Sequence, residues 1–164
     1  MHPSHNTNRS RALPAIFWAG LTAGIMDICA AFITWWPQGI TPVRILKGIA
    51  GGLLGPQATS GGWPVALLGL ACHFFIAFSA ATVFYLASRK IGFLTSRPVL
   101  SGVLYGVCVY LVMYWIVVPL SALHRRPHSL SASVIAILTH MICVGLPISL
   151  VISRFARSYR SAAR

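Results

Sequence analysis

Four long apolar runs dominate this sequence and limit the folds that it can adopt. They cover roughly residues 14–36, 65–87, 99–121 and 130–153. At about 1.5 Å of rise per residue, each run is long enough to cross the hydrocarbon core of a bilayer as a helix. Backbone groups in lipid must be bonded within the protein, and the runs lack the strict alternation of barrel strands. We therefore predict an all-α fold, a polytopic membrane protein built as a four-transmembrane-helix bundle.

The composition supports the same class and excludes several others. Of the 164 residues, 57% are hydrophobic and 9% are charged, and the formal net charge is +12. The basic residues lie between apolar runs, so membrane topology and anionic lipid account for them better than nucleic acid does. The sequence has no nucleophile elbow, phosphate-binding glycine loop or carboxylate pair. We expect no nucleic-acid partner and no enzymatic activity.

The distribution of Lys and Arg predicts the direction of the helices. Nine of these residues fall in the two tails and the second connection, against four in the first and third connections. The positive-inside rule then places both termini in the cytoplasm. We expect residues 1–13 to form a disordered cytoplasmic tail and residues 154–164 a basic one. The arginines of the second tail either bind anionic lipid headgroups or only fix the topology: Arg154, Arg157, Arg160 and Arg164.

The connection between the first two runs is unusually rich in glycine and proline. Residues 37–64 hold eleven of them. Within this connection, residues 43–54 have the pattern of a short amphipathic helix, with Arg44 and Lys47 one turn apart. The helix is too short to span a bilayer. It is either interfacial, which we favour, or a re-entrant element that lines a cavity.

Asp27 is the only acidic residue of the chain, and it falls near the centre of the first run. A charged side chain at that depth costs at least about 2.5–3.5 kcal/mol on insertion scales, so it is normally turned inward and paired. His73 and His140 lie at nearly the same depth in their runs, and Tyr110 and Tyr114 do so in the third run. Small residues share a helical face with each of these side chains, which predicts that the faces pack together.

We interpret Asp27, His73 and His140 as a proton or ion site, to which Tyr110 or Tyr114 donates a hydrogen bond. Desolvation favours the neutral form of an isolated carboxyl or imidazole, whereas an interacting pair exchanges a proton and titrates as a group. Asp–His chains of this kind serve proton relays in membrane proteins. In the alternative interpretation these side chains only cross-link helices, and the chain is a structural or accessory subunit of a membrane complex.

The pattern gives weaker support to metal or cofactor binding. Asp27, His73, His140 and Cys143 are suitable ligand types, but the sequence has no H-E-x-x-H or C-x-x-C motif. A haem held between His73 and His140 is a less favoured alternative, and the absence of C-x-x-C-H excludes covalent attachment. We expect neither a metal nor a cofactor.

The order of several short motifs resembles the YagU-like family of uncharacterised bacterial inner-membrane proteins. The likeness covers about residues 14–153 and rests on these segments: Ala23-Gly24 before Asp27, His73-Phe74-Phe75, Tyr85, Gly102 to Tyr105, Pro119-Leu120, and His140-Met141 before Pro147. The resemblance implies a multi-pass protein of the bacterial inner (plasma) membrane. The family name is linked to acid resistance, so the resemblance also points towards proton handling, without implying catalytic residues.

Together these observations lead to one functional hypothesis, proton-linked permeation or pH sensing related to acid stress. The small-residue faces also predict packing with other helices, so we expect either a homo-oligomer or a subunit of a membrane complex in contact with the lipid bilayer.

Overall fold

The computed structural model describes residues 6–123 and 129–162, with the side chains of residues 12–123 and 129–157. Every regular element in these ranges is helical, which confirms the predicted all-α class. The helices are α1 (Asn6–Trp35), α2 (Pro42–Leu54), α3 (Trp63–Ser88), α4 (Phe93–Ser96), α5 (Pro98–Val112), α6 (Val118–Leu120), α7 (Leu130–Thr139) and α8 (Leu146–Ala162). The π-helical segment Met113–Val117 joins α5 to α6, and the π-helical segment His140–Gly145 joins α7 to α8. Two short 3-10 turns, Trp36–Gln38 and Pro56–Ser60, flank α2.

Four helical stretches of the described chain are long and apolar enough to cross a membrane. They are Ala12–Gln38, Trp63–Ser88, Pro98–Leu120 and Leu130–Arg157, here called the first to fourth spans. Each agrees with a predicted apolar run to within a few residues, which confirms a multi-pass membrane protein. Large apolar side chains face outward from these spans, as lipid contact requires; Ile33, Phe75 and Leu120 are 74%, 73% and 82% exposed.

The first and last helices extend beyond the membrane-spanning parts. Helix α1 begins at Asn6, so residues 6–13, which we expected to be disordered, continue the helix. Extending an existing helix gains one backbone hydrogen bond per residue fixed, which makes the added turns inexpensive. Helix α8 likewise runs through the basic tail to Ala162. Residues 1–5 and 163–164 lie outside the described part of the chain, so the prediction for the extreme tails is untested.

Glycine and phenylalanine pack the first span against the second. Gly20 lies beneath the ring of Phe78, and Gly24 lies beneath the ring of Phe74. A Cβ atom at Gly24 would be only 2.7 Å from the Phe74 ring, so the two rings occupy the space that glycine leaves open. This is the close helix approach that the Gly20-x-x-x-Gly24 pattern predicts.

The third and fourth spans touch through their backbones. A Cβ atom at Gly102 would lie 2.9 Å from the Cα atom of Leu146, and one at Gly145 would collide with the Gly102 carbonyl oxygen. Gly106 is similarly close to the backbone of His140 and its neighbour in the π-helical segment. These glycines bring His140 into the interior of the bundle.

Buried apolar side chains close one end of the bundle, here called the terminal end because it carries both described chain ends. The core there consists of Ala19, Ala23, Ala81, Phe84, Val144, Ile148 and Ile152. The ring of Tyr105, on the third span, packs edge-on against Phe84 at 4.9 Å, and its hydroxyl donates to the Ala80 carbonyl at 2.7 Å. All four spans therefore meet around this core.

Helix α2 packs against the bundle at the opposite end, here called the α2 end (residues 36–62 and 121–123). The Leu46 carbonyl lies against Gly69, six residues from the start of α3, and Ala50 is fully buried. At about 1.5 Å per residue, this contact lies roughly 9 Å along α3 from its first residue. The amide of Ala122 also donates to the Gly52 carbonyl at 2.8 Å. The helix predicted at 43–54 thus exists and packs against the second span, and its interfacial or re-entrant placement stays a prediction.

Candidate functional site

A cavity of about 230 Å³ lies between the four spans and α2, here called the inner cavity. Its walls include Asp27, His73 and His140, the three residues that the sequence identified as a shared site. The remaining wall is apolar and comes from every span and from α2: Ala23, Gly24, Ile49, Ile76, Ala77, Ala80, Val109, Met113 and Val144. The three polar side chains therefore face one common space between the helices.

His73 is held by the first span. Its Nε2–H donates to the carbonyl of Gly24 at 2.9 Å, and its ring packs edge-on against Phe74 at 5.4 Å. A carbonyl oxygen only accepts, so the hydrogen bond places a proton on Nε2. In the neutral ring Nδ1 is then the acceptor nitrogen. The imidazole can accept a second proton at Nδ1 without breaking its bond to Gly24.

His140 has the opposite tautomer. Its Nδ1–H donates to the Ala136 carbonyl, one turn earlier in the fourth span, at 2.8 Å. In the neutral ring Nε2 is therefore the acceptor nitrogen. The ring of Tyr110 packs edge-on against the imidazole, with ring centroids 5.7 Å apart, and so also helps to orient it. Both histidines are thus oriented by backbone carbonyls, and each retains one nitrogen that can bind a proton.

The π-helical turn at His140 has a cause in the sequence. Pro147 lacks an N–H group, and its ring would clash with the carbonyl four residues earlier in a regular helix. The wider segment His140–Gly145 ends two residues before this proline, and Met113–Val117 ends two residues before Pro119 in the same way. Segments of this kind absorb the misfit and are frequent at functional sites. Both lie beside the inner cavity, which His140 and Met113 line.

Asp27 has no hydrogen-bond or ion-pair partner among the residues that the structure describes. The same part of the chain contains no group of three His, Cys, Asp or Glu side chains close enough to hold a metal ion. The structure thus places Asp27 and the two histidines around a common space and not in the direct Asp–His pair that we considered. Any exchange of protons between them needs water molecules, which occupy about 30 Å³ each in the liquid.

A second cavity of about 230 Å³, the outer cavity, connects this site with the α2 end. Asp27 and His140 line it as well as the inner cavity. From these two residues it extends between the first and fourth spans towards the end of the first span, and its other lining residues are Ala31, Thr34, Trp35, Gln38, Ala132, Ile135, Ala136 and Thr139. Asp27 and His140 therefore stand where the two cavities adjoin.

The two tyrosines of the predicted site lie beside each other on the third span. Tyr110 is buried and stacks on Tyr114 with ring centroids 5.8 Å apart. Neither residue lines the inner or the outer cavity. Tyr110 acts on the site only through its contact with the ring of His140. No hydrogen bond joins it to Asp27 in the described structure.

Three contributors to the site were not found from the sequence. Ile49 of α2 and Met113 of the third span are wall residues of the inner cavity, and each of the two π-helical turns contributes one residue to that wall, Met113 or His140. The sequence did contain a signal for the turns, because each is followed at the same spacing by Pro119 or Pro147. No comparable signal marks Ile49, since the depth of α2 depends on its contact with α3.

The basic tail at the terminal end is partly described. Arg154 and Arg157 are exposed on α8, and the Nε–H of Arg157 donates to the Ser153 carbonyl at 3.4 Å. The side chain of Arg160 and the whole of Arg164 lie outside the described part. The predicted contact of these arginines with lipid headgroups stays a prediction.

Comparison of the chain with protein-family models, with curated proteins and with solved structures found no match.

Proposed function

We propose that this membrane protein handles protons at Asp27, His73 and His140, in proton-linked permeation or in pH sensing. One observation carries the proposal: the only side-chain carboxyl has no hydrogen-bond or ion-pair partner among the described residues, and it faces two adjoining cavities, of which His73 borders one and His140 borders both. A polar group is retained inside a membrane only at a considerable free-energy cost, so its presence there favours a working role.

The chemistry of the site supports proton transfer through water. Asp27 offers two carboxylate oxygens, His73 offers Nδ1 and His140 offers Nε2. The backbone bonds of the two rings persist in both protonation states, so each ring can gain or lose a proton without reorienting. The three groups share a space large enough for several water molecules, which can connect them through hydrogen bonds.

The outer cavity provides a route to the site from the α2 end. The outer cavity leads from Asp27 to Thr34 and Gln38 at the α2 end. In the other direction, the buried side chains of Phe84, Ile148 and Ile152 fill the terminal end. A pH sensor needs only this one route. Permeation additionally requires the apolar core to open, which adds a conformational step.

Infrared difference spectroscopy tests proton binding because the chain has one side-chain carboxyl. A C=O band of a protonated carboxylic acid should appear on acidification of the full chain in liposomes and be absent from Asp27→Asn. The conservative Asp27→Glu variant should keep a shifted band. The C-terminal carboxyl is present in all three proteins and provides the internal reference. The proposal is overturned if wild type and Asp27→Asn give the same spectra.

Proton flux separates permeation from sensing. Liposomes with a pH-sensitive dye inside and a potassium diffusion potential should acidify faster with the wild-type protein than with Asp27→Asn if the protein conducts. A titrating carboxyl without a difference in flux supports the sensing form of the proposal. The resemblance to the YagU-like family, which is linked to acid resistance, supports proton handling in either form and itself remains a proposal that rests on the short motifs given above.

A further inference from the structure

A third hollow lies at the α2 end, away from Asp27. It has a volume of about 430 Å³ and is lined by Thr41, Val43, Arg44, Lys47, Thr59 and Ser60. We call it the basic hollow. It shares no lining residue with the inner or the outer cavity, so it is independent of the proposed proton site.

No carboxylate in the described part of the chain lines the basic hollow, so a counter-ion for its two cations has to come from outside the chain. Arg44 and Lys47 lie one helical turn apart on α2, and their side chains have no hydrogen-bond or ion-pair partner among the described residues. The only carboxylate side chain of the protein, Asp27, lines the other two cavities instead. Two adjacent cations without a counter-charge form a site for an anionic group such as a phosphate.

The hydroxyl groups of the hollow define a second requirement on the ligand. Thr59 Oγ1 donates its proton to the Pro56 carbonyl at 3.0 Å, and Ser60 Oγ donates to the Gln57 carbonyl at 2.8 Å. Their protons are thus already used, and their oxygens are left as acceptors. A matching ligand carries an anionic oxygen for Arg44 and Lys47 and a hydroxyl donor for Thr59 and Ser60.

The position of the hollow identifies the source of such a ligand. Three exposed tryptophans lie at the same end of the bundle, Trp35, Trp36 and Trp63, which are 37%, 65% and 69% exposed. Tryptophans of this kind mark the depth of the lipid headgroups. The residues of the hollow lie in the chain between Trp36 and Trp63, next to these tryptophans. We therefore propose that the hollow binds the headgroup of an anionic phospholipid that bears hydroxyl groups, of the phosphatidylglycerol class.

The proposal predicts selectivity among headgroups. Phosphatidylethanolamine carries a phosphate, but its ammonium group would lie close to Arg44 and Lys47 and be repelled. Phosphatidylmethanol has the negative charge and lacks a headgroup hydroxyl, so it should bind through the two cations alone. Soluble glycerol phosphate has the same polar groups and no acyl chains, which allows a free phosphate site to be distinguished from a lipid site.

Native mass spectrometry of the delipidated full chain in detergent measures these affinities. Phosphatidylglycerol should bind more tightly than phosphatidylethanolamine, and the preference should fall roughly 30-fold in R44Q/K47Q, as expected from about 1 kcal/mol per basic side chain. The matched variant R89Q/K90Q removes the same two residue types from exposed positions at the terminal end and should keep the preference. Equal preference in wild type and R44Q/K47Q would overturn the proposal.

A second variant keeps the test decisive if R44Q/K47Q does not fold. T59A/S60A retains both cations and should bind phosphatidylglycerol and phosphatidylmethanol equally, whereas the wild type should favour phosphatidylglycerol. A wild type that does not distinguish these two lipids would contradict the role of the hydroxyls. Binding of glycerol phosphate as tightly as phosphatidylglycerol would contradict the lipid assignment.

Discussion

The imidazole of His73 and the backbone carbonyl of Gly24 are joined across two membrane spans by a 2.9 Å hydrogen bond. Gly24 lies three residues before Asp27, and its lack of a side chain lets the second span approach closely enough for this bond. The same contact therefore fixes the spacing of two helices and the tautomer of a ring that faces the inner cavity. Structural and chemical roles of His73 coincide, and they can be separated by substitution.

Substitution of His73 by glutamine or leucine separates these two roles. The glutamine amide can donate from a position close to that of Nε2, so His73→Gln should keep the bond to Gly24 while removing the titrating ring. His73→Leu removes the donor, and such bonds contribute about 0.6 kcal/mol on average and up to about 1.7 kcal/mol in a membrane bundle. Thermal unfolding in detergent should therefore show His73→Leu less stable than His73→Gln. Both variants should alter the pH dependence of the carboxyl infrared band of Asp27, and an unchanged titration in both would remove His73 from the proton site.

Alanine at Gly145 should destabilise the protein through a backbone collision. The added Cβ would meet the Gly102 carbonyl and the backbone of Gly106, neither of which can move aside as a flexible side chain does. Overpacking of this kind costs about 1–3 kcal/mol. Gly48 of α2 is the matched control, because a Cβ atom added there would have no neighbouring atom within 4 Å. Gly48→Ala should be neutral or stabilising by up to about 1 kcal/mol, since alanine is the better helix former. Equal unfolding midpoints for the two variants in detergent would contradict the backbone contact between the third and fourth spans.

A cysteine at position 31 should be accessible to water from the α2 end. Ala31 lines the outer cavity, whereas Ile33, two residues further along the same helix, is 74% exposed on the outside of the bundle. In a variant without the four native cysteines, Ala31→Cys should react with a charged thiol reagent added on the α2 side. Ile33→Cys should not react, because thiols surrounded by lipid do not form the thiolate. The idea of an aqueous route fails if Ala31→Cys is inert or reacts only from the terminal side.

A larger side chain at position 49 should fill the inner cavity. Ile49 is its only wall residue from α2, while Leu53, one turn later, is 66% exposed. Ile49→Trp should displace water from around Asp27 and lower either proton flux or the amplitude of the carboxyl band. Leu53→Trp increases the side-chain volume by a similar amount at an exposed position, so it should leave both signals unchanged. An equal response from the two variants would show that α2 does not bound the working site.

The sequence predicted the spans, and it predicted which of their faces turn inward. The first prediction rests on the free-energy cost of exposing polar backbone groups to lipid. The second rests on small residues such as Gly24 and Gly106, which let neighbouring helices approach closely. The depth of Asp27, His73 and His140 follows from counting along regular helices, so their convergence on one cavity was accessible in advance. Their lack of direct contact was not, because it depends on distances of a few ångströms between separate spans.

The features that the sequence could not predict depend on tertiary contacts. Gly69 of α3 offers a surface without a side chain that receives the Leu46 carbonyl of α2, and nothing in the pattern of α2 indicates this contact. Tyr110 and Tyr114 share a helical stripe with Gly106, and their rings stack on each other where the helix widens after Val112. Neither the pairing of two specific helices nor a change of helical pitch can be obtained from hydrophobic periodicity alone.

The wide turn at His140–Gly145 also determines which kinds of mutation the fourth span can tolerate. It holds one residue more than a regular turn, so α7 and α8 are out of phase with a single continuous helix by about one residue, or 100°. Deleting a single amino acid between Met141 and Gly145 would rotate Ala132 and Ala136 out of the outer cavity relative to Ile148 and Ile152 in the core, and it would remove the wide turn that accommodates Pro147. A one-codon deletion there would therefore do more damage than most substitutions, because it changes the direction of every side chain on one side of the turn relative to the other.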